Sequence, residues 1–400
     1  MVETTHLLLE LFLIFAAAKV MGELFERLRQ PAVIGEILAG VVLGPYVLAW
    51  VAPSQFTSGL AEIGVILLLF TVGLETKPRD LLQVGVLASS VATLGVVVPF
   101  ITGWLVMRAL GNSTLESVFT GTALVATSVG ITARVMADMK ILGTRVARVI
   151  LAAAVIDDVL GMLLLAVVSS LSNGRTQIFS LTVVVLEAVA FIGLIVFWGS
   201  RVVGRMKPRL DTMAPHNSAF VLAMVACLGL SVAASFIGIA AIIGAFLAGL
   251  AIADHREAWA IEGKVQALGE FLVPFFFVVM GLQLNLKTLG DRRILGMALL
   301  IVVVAVLTKL IGCGLAALPM GPRDALRVGF GMVPRGEVGI IVALVGLQQG
   351  TISDAIYSVV LVMTVVTTLL SPLLLSFVFK GLSKDQASSP GAPSIGAKSL

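Results

Sequence analysis

Apolar residues run through this chain in long blocks, and polar residues gather in the short gaps between them. The blocks predict thirteen helical spans, at about 5–26, 32–49, 58–75, 81–109, 115–137, 145–171, 178–202, 216–234, 238–254, 265–284, 293–318, 325–348 and 355–379. Most approach the roughly 20 residues that a helix needs to cross the hydrocarbon core of a bilayer. Residues 381–400 are rich in Ser, Pro and Gly and read as a disordered tail. No cleavable leader is expected: MVETTHLLLEL lacks a basic start, and its apolar run continues into a full-length helix.

The pattern also repeats. Ile34-Gly35-Glu36-Ile37-Leu38-Ala39-Gly40 matches Ile243-Gly244-Ala245-Phe246-Leu247-Ala248-Gly249 at an interval of 209. Gly73-Leu74-Glu75 matches Gly281-Leu282-Gln283 at 208, and Val129-Gly130-Ile131 matches Val338-Gly339-Ile340 at 209. Any one match is weak in so apolar a chain; three in order at one interval are stronger. The interval equals seven spans, pairing span 2 with 9, 3 with 10 and 5 with 12. Seven is odd, so the halves would insert in opposite directions. Inverted repeats of this kind underlie alternating-access transporters. Span 7 would link the halves.

Composition sharpens the class. Hydrophobic residues are 58% of the chain, charged residues 12%, and mean hydropathy is +1.08. A soluble domain carries about 25% charged residues. The expectation is an all-α integral membrane protein. Lys and Arg number nineteen in the connections after odd-numbered spans and the tail, against five on the other side. The positive-inside rule then puts the N-terminus outside and the C-terminus in the cytoplasm. The pI of about 9.2 therefore calls for no nucleic-acid partner. Cys227 and Cys313 lie far apart in apolar segments and suggest neither a disulfide nor a metal site. No nucleophile–base pair, phosphate loop or ligand cluster is present, so neither an enzyme nor a cofactor is expected.

Charge within the apolar blocks marks the chemistry. Asp157 and Asp158 stand at the middle of VILAAAVIDDVLGMLLLAVV, residues 149–168. A central Asp costs roughly 2.5–3.5 kcal/mol to insert and calls for a use, such as holding a cation or proton in transit. Lys309 lies mid-way along an otherwise apolar run from Ala298 to Leu318 that has only Thr308 as another polar residue. Its depth-matched partner is the Asp pair. Desolvation favours neutral forms and pairing favours charged ones, so such a group can trade protons when the balance is disturbed.

Spans 5 and 12 look broken: GTALVATSVGIT in one, GFGMVPRGEVGI in the other. Interruptions in matching helices of two halves point to a substrate site. Unwound carbonyls and Thr/Ser hydroxyls there suit a small cation, although small residues also simply permit close packing. Glu75 and Glu270 are expected near solvent, and Glu36 and Glu62 at a cavity mouth. Glu187 has no evident partner. Arg335 and Glu337 would neutralise half-helix ends or each other. His6, His216 and His255 fall near span ends.

Taken together, Asp157-Asp158, mid-span Lys309, ATSVGIT and PRGEVG resemble the electrogenic Na+/H+ antiporters. The likeness covers residues 1–380 and is nearest the NapA-like branch, related to NhaA. Potassium-efflux relatives typically carry Gln-Asp and a nucleotide-binding domain, and electroneutral ones Asn-Asp; this chain has Asp-Asp and a short tail. The resemblance implies a homodimer in the bacterial inner membrane. Residues 1–76 and 208–284 would form its interface domain, 77–177 and 285–380 its core domain, and 178–207 its linker. Asp158 would be the main ion-binding carboxylate and Asp157 the partner of Lys309. Thr127 and Ser128 would lend oxygens to the transported Na+. Arg335, Glu337, Gly130 and Pro334 would support the crossed broken helices. Competing expectations are a K+/H+ antiporter on the same scaffold, a Na+-coupled organic-anion symporter, against which Lys309 argues, and a channel, which needs no such repeat.

Overall fold

The computed structural model describes residues 2–28, 30–76, 83–172, 178–211, 218–255, 261–283 and 292–380. Among them the chain folds into fifteen α-helices. In order these are α1 (Val2–Arg27), α2 (Ala32–Leu43), α3 (Gln55–Glu75), α4 (Gly85–Ala109), α5 (Thr114–Ala123), α6 (Val129–Asp138), α7 (Arg145–Ser172) and α8 (Ile178–Asp211). They continue as α9 (Ser218–Ile237), α10 (Ala241–Ile252), α11 (Glu262–Leu282), α12 (Arg292–Ala317), α13 (Pro322–Gly331), α14 (Glu337–Gln348) and α15 (Asp354–Phe379). Each predicted span holds one of these helices, except the fifth and twelfth, which hold two. By length and apolar content seven described helical stretches can cross a membrane. The tail 381–400, His216 and the side chain of Glu337 lie outside the described residues.

Local chemistry sets the helix limits. α3 begins at a reciprocal cap: Thr57 N donates to Ser54 Oγ at 3.1 Å, and Ser54 N donates to Thr57 Oγ1 at 2.9 Å. α5 begins with the Ser113–Glu116 equivalent, which satisfies two donors that every helix start leaves open. α2 stops at Leu43, short of the expected 49. Gly44 is extended there because Pro45 follows, and a residue before proline is pushed out of helical backbone. α8 runs to Asp211, past the expected 202. Its last turns carry Arg201, Arg205, Lys207 and Arg209, and hydropathy finds where a membrane ends rather than where a helix ends.

Two groups of helices pack internally: α1, α2, α3, α9, α10 and α11 in one, and α4 to α7 with α12 to α15 in the other. α8 rests on α7, α9 and α10, and the groups meet where α3 and α2 touch α6 and α2 touches α15. In the first group backbones approach so closely that side chains are excluded. A Cβ on Gly40 would lie 2.0 Å from the Val278 carbonyl oxygen, and one on Gly249 would lie 2.2 Å from that of Phe70. Gly40 faces Gly281 and Gly249 faces Gly73, and the 208–209 interval exchanges the two contacts. The same interval separates the starts of α2 and α10, α5 and α13, α6 and α14, and α7 and α15.

Candidate functional site

Two unwound segments cross at the centre of the second group. Residues 124–128 separate α5 from α6, and residues 332–336 separate α13 from α14. Pro334 lacks an N–H and disfavours helical backbone at Val333, which breaks the second helix. The segments are tied to each other. Ser128 N donates to the Pro334 carbonyl at 2.7 Å, Thr127 Oγ1 to that of Met332 at 3.4 Å, and Thr132 Oγ1 to that of Gly331 at 2.8 Å. Gly336 makes room for Ser128: a Cβ there would sit 2.7 Å from its Oγ.

Arg335 is wholly buried and, among the described residues, donates to carbonyls. It donates to Val125 O at 3.1 Å and Ala126 O at 2.6 Å, beyond the α5 C-terminus, and to Ala305 O on α12 at 3.1 Å. A cation at the negative end of a half-helix dipole is favourable. The Arg335 carbonyl in turn accepts from Thr368 Oγ1 at 2.6 Å. Gly130, the other expected support, abuts Phe276 and Val65 across the boundary between the groups.

One turn along α12 from Ala305, Lys309 Nζ donates to Asp157 Oδ1 at 2.8 Å, with both side chains fully buried. The second Asp157 oxygen, Oδ2, has no hydrogen-bond partner among the described residues. Gly95 on α4 lies over this pair: a Cβ there would come within 3.4 Å of Nζ and 2.7 Å of Cys313 Sγ. Asp158, 6% exposed, points elsewhere. It lines a narrow cavity between α3, α6, α7 and α10 with Val129, Leu69 and Phe246. Val129 follows Ser128, so the Asp158 cavity touches the end of the unwound segment. One buried acid is thus committed to a lysine while its neighbour faces a crevice between the two groups. A cation arriving at Asp158 would alter the electrostatic balance of the Lys309–Asp157 pair.

Other expectations resolve individually. Glu75, Glu62, Glu270 and Glu187 are exposed. Glu36 is buried on α2, with Oε1 4.0 Å from Arg134 on α6, which also holds Asp138 at 3.1 Å. Nearby, Glu26, Gln30, Asp138, Ser376 and Lys380 line a cavity of about 570 Å³. His6 approaches Glu10 to 3.5 Å, away from the crossing. The sequence did not single out Gly95, Arg134 or the buried hydroxyls of α15. For the last, spacing was a usable signal, since Thr364, Thr367, Thr368 and Ser371 recur at helical intervals.

A helical bundle with crossed broken helices and a buried lysine–aspartate pair beside a second aspartate defines a membrane ion transporter. The family model described as sodium/hydrogen exchanger, transmembrane, matches residues 12–381, and the chain belongs to that family. It is 35% identical over 381 residues to the Na+/H+-K+ antiporter GerN of Bacillus cereus, covering 94% of this chain and 97% of that one. It is 32% identical over 432 residues to the high-affinity Na+/H+ antiporter NhaS3 of Synechocystis, covering 96% and 92%. The solved sodium proton antiporter MjNhaP1 of Methanocaldococcus jannaschii has the same fold, with a TM-score of 0.66 at 17% identity, over 94% of this chain and 98% of that one. The protein is a transporter and not an enzyme.

Proposed function

We propose that this antiporter exchanges cytoplasmic Na+ or Li+ for external protons at Asp158. The observation that carries the reading is the Lys309–Asp157 pair at 2.8 Å beside an acid that faces a crevice. Na+ on Asp158 loosens Asp157 from Lys309 and protons leave; protons returning to these groups expel Na+. One site unable to hold both cargoes suffices for coupling. Two protons per Na+ make the cycle electrogenic when Lys309 or Asp157 supplies the second proton site. Sodium reaches Asp158 through Thr127, Ser128 and the unwound carbonyls.

The chain crosses the membrane thirteen times as two inverted repeats, N-terminus outside, in a bacterial plasma membrane. Residues 77–177 and 285–380 form a core that moves, elevator fashion, against a dimerising domain of residues 1–76 and 208–284, with 178–207 linking the halves. In support, helices pack within two groups that meet along few elements, and glycine contacts exchange under the 208–209 interval. K+ is the second candidate cargo, favoured by the K+ in the name of the Bacillus cereus relative.

The test is proton movement in proteoliposomes with an acid interior, after adding Na+ or, separately, K+. Proton release on Na+ and not on K+ is the expected result. Release on K+ alone transfers the same mechanism to K+, and no release with either from folded protein sinks the reading.

A further inference from the structure

α15 carries four buried hydroxyls on one face, Thr364, Thr367, Thr368 and Ser371. Thr367 Oγ1 donates to the Met363 carbonyl at 2.8 Å, Ser371 Oγ to that of Thr367 at 2.5 Å, and Thr368 Oγ1 to that of Arg335. Thr364 differs. The residue is 2% exposed and its hydroxyl has no partner among the described residues, although a helical threonine can usually bond the carbonyl four residues back. A buried hydroxyl without a partner is costly, so something other than protein is expected to meet it.

The space beside it is a cavity of about 30 Å³ between α2, α11, α14 and α15, lined by Ile37, Met280, Ile340, Thr364, Thr368 and, at the end of α11, exposed Gln283. A water needs about 10–15 Å³ and two to four polar partners. Thr364, Thr368 and Gln283 are the polar residues on its wall. Among the described residues no charged side chain lines the cavity, which suits water better than a desolvated ion. Gly339, next to the cavity-lining Ile340, lies beside the Thr364 hydroxyl. A Cβ there would lie 3.5 Å from Thr364 Oγ1 and 3.3 Å from the carbonyl oxygen of Ala123, the last residue of α5. Position points the same way. The four helices around this cavity stand 207–209 residues from α10, α3, α6 and α7, the four around the Asp158 cavity. At an interval of 209, Ile37 corresponds to Phe246 and Thr364 to Val155, and both of those line the Asp158 cavity.

We propose that this cavity is a water site anchored by Thr364, which hydrates the crossing of the broken helices from the Gln283 end of the bundle. Its consequence for exchange rests on the transport reading above; the water itself does not. Millisecond X-ray radiolysis turns bound water into hydroxyl radicals that oxidise adjacent side chains, and Met280 is a sensitive reporter on the cavity wall. Oxidation of Met280 should be fast in the wild type, severalfold slower in Thr364→Val, and restored in Thr364→Ser. Cation-driven proton flux should fall about tenfold in Thr364→Val and recover in Thr364→Ser, on the scale of one lost hydrogen bond. Gly339→Ala, which narrows the gap to Ala123, should slow flux while leaving Met280 oxidation fast. Equal Met280 oxidation in wild type and Thr364→Val overturns the water site, and undiminished flux in Thr364→Val overturns its place on the route. A wild type that oxidises at Met280 but moves no protons supports the water site and removes the transport reading alone.

Discussion

Asp157 and Asp158 are adjacent in sequence but face about 100° apart, because a helix turns once every 3.6 residues. That rotation gives one acid to Lys309 and the other to the crevice. Both acids and Lys309 were legible from sequence because each interrupts an apolar run. Which acid pairs with the lysine follows from how α7 rotates against α12, and only the family resemblance anticipated it. The spacing of the α15 hydroxyls could be read, but the missing partner of Thr364 could not, since a threonine in an apolar helix looks the same whether or not its hydroxyl is bonded. Lys309→Gln leaves the Asp157 carboxylate buried alone, so it should cost about 3–5 kcal/mol of stability, read by thermal unfolding in detergent. Lys309→Gln with Asp157→Asn should recover most of that loss while the charge moved per cycle stays diminished. Full charge movement in either variant would remove Lys309 as a proton carrier.

Among the elements, the two broken helices were readable from Pro334, Gly336 and the Thr/Ser run, because such residues leave helical backbone for reasons local to themselves. Arg335 was expected at half-helix ends or on Glu337, and its guanidinium does meet Val125 and Ala126 just past the end of α5. Which carbonyls it would meet, Ala305 of α12 among them, was not readable, because only the crossing brings them near. Arg335→Ala should strip three buried carbonyls of a donor, at about 1–3 kcal/mol for each group left unsatisfied, and abolish exchange. Arg335→Lys keeps the charge but not the planar fork and should rescue only part of the stability. The glycine contacts make a separate prediction. Gly40→Ala forces a methyl to within 2.0 Å of the Val278 carbonyl oxygen and should lower stability by about 1–3 kcal/mol or more. Gly59→Ala on α3, which meets nothing within 4 Å, should leave the unfolding midpoint unchanged or raise it.

At the scale of the molecule, the 208–209 interval was visible in three short matches, and the fold gives it substance through glycine contacts and helix starts. Helix limits were read less well, since α2 ends early at Pro45 and α8 outlasts its apolar stretch. Counting crossings by length is harder still. α2 and α10 have 12 residues each, about 18 Å at 1.5 Å per residue, against a core of about 30 Å. The boundary between the helix groups carries the ion pair of Glu36 with Arg134 and the contact of Gly130 with Val65. Motion of one group against the other must break such contacts. Val65→Cys with Gly130→Cys, oxidised to a disulfide, should therefore arrest exchange, and reductant should restore it. Unchanged exchange with complete cross-linking would rule out sliding along α3 and α6.

Every step of the account passes through one carboxylate, and it can be tested there most directly. Wild type and Asp158→Asn, reconstituted side by side in proteoliposomes with an acid interior, should be compared for proton efflux on addition of Na+. The account predicts efflux from the wild type and none from Asp158→Asn, with both proteins unfolding cooperatively in detergent. Efflux from Asp158→Asn at the wild-type rate would contradict it.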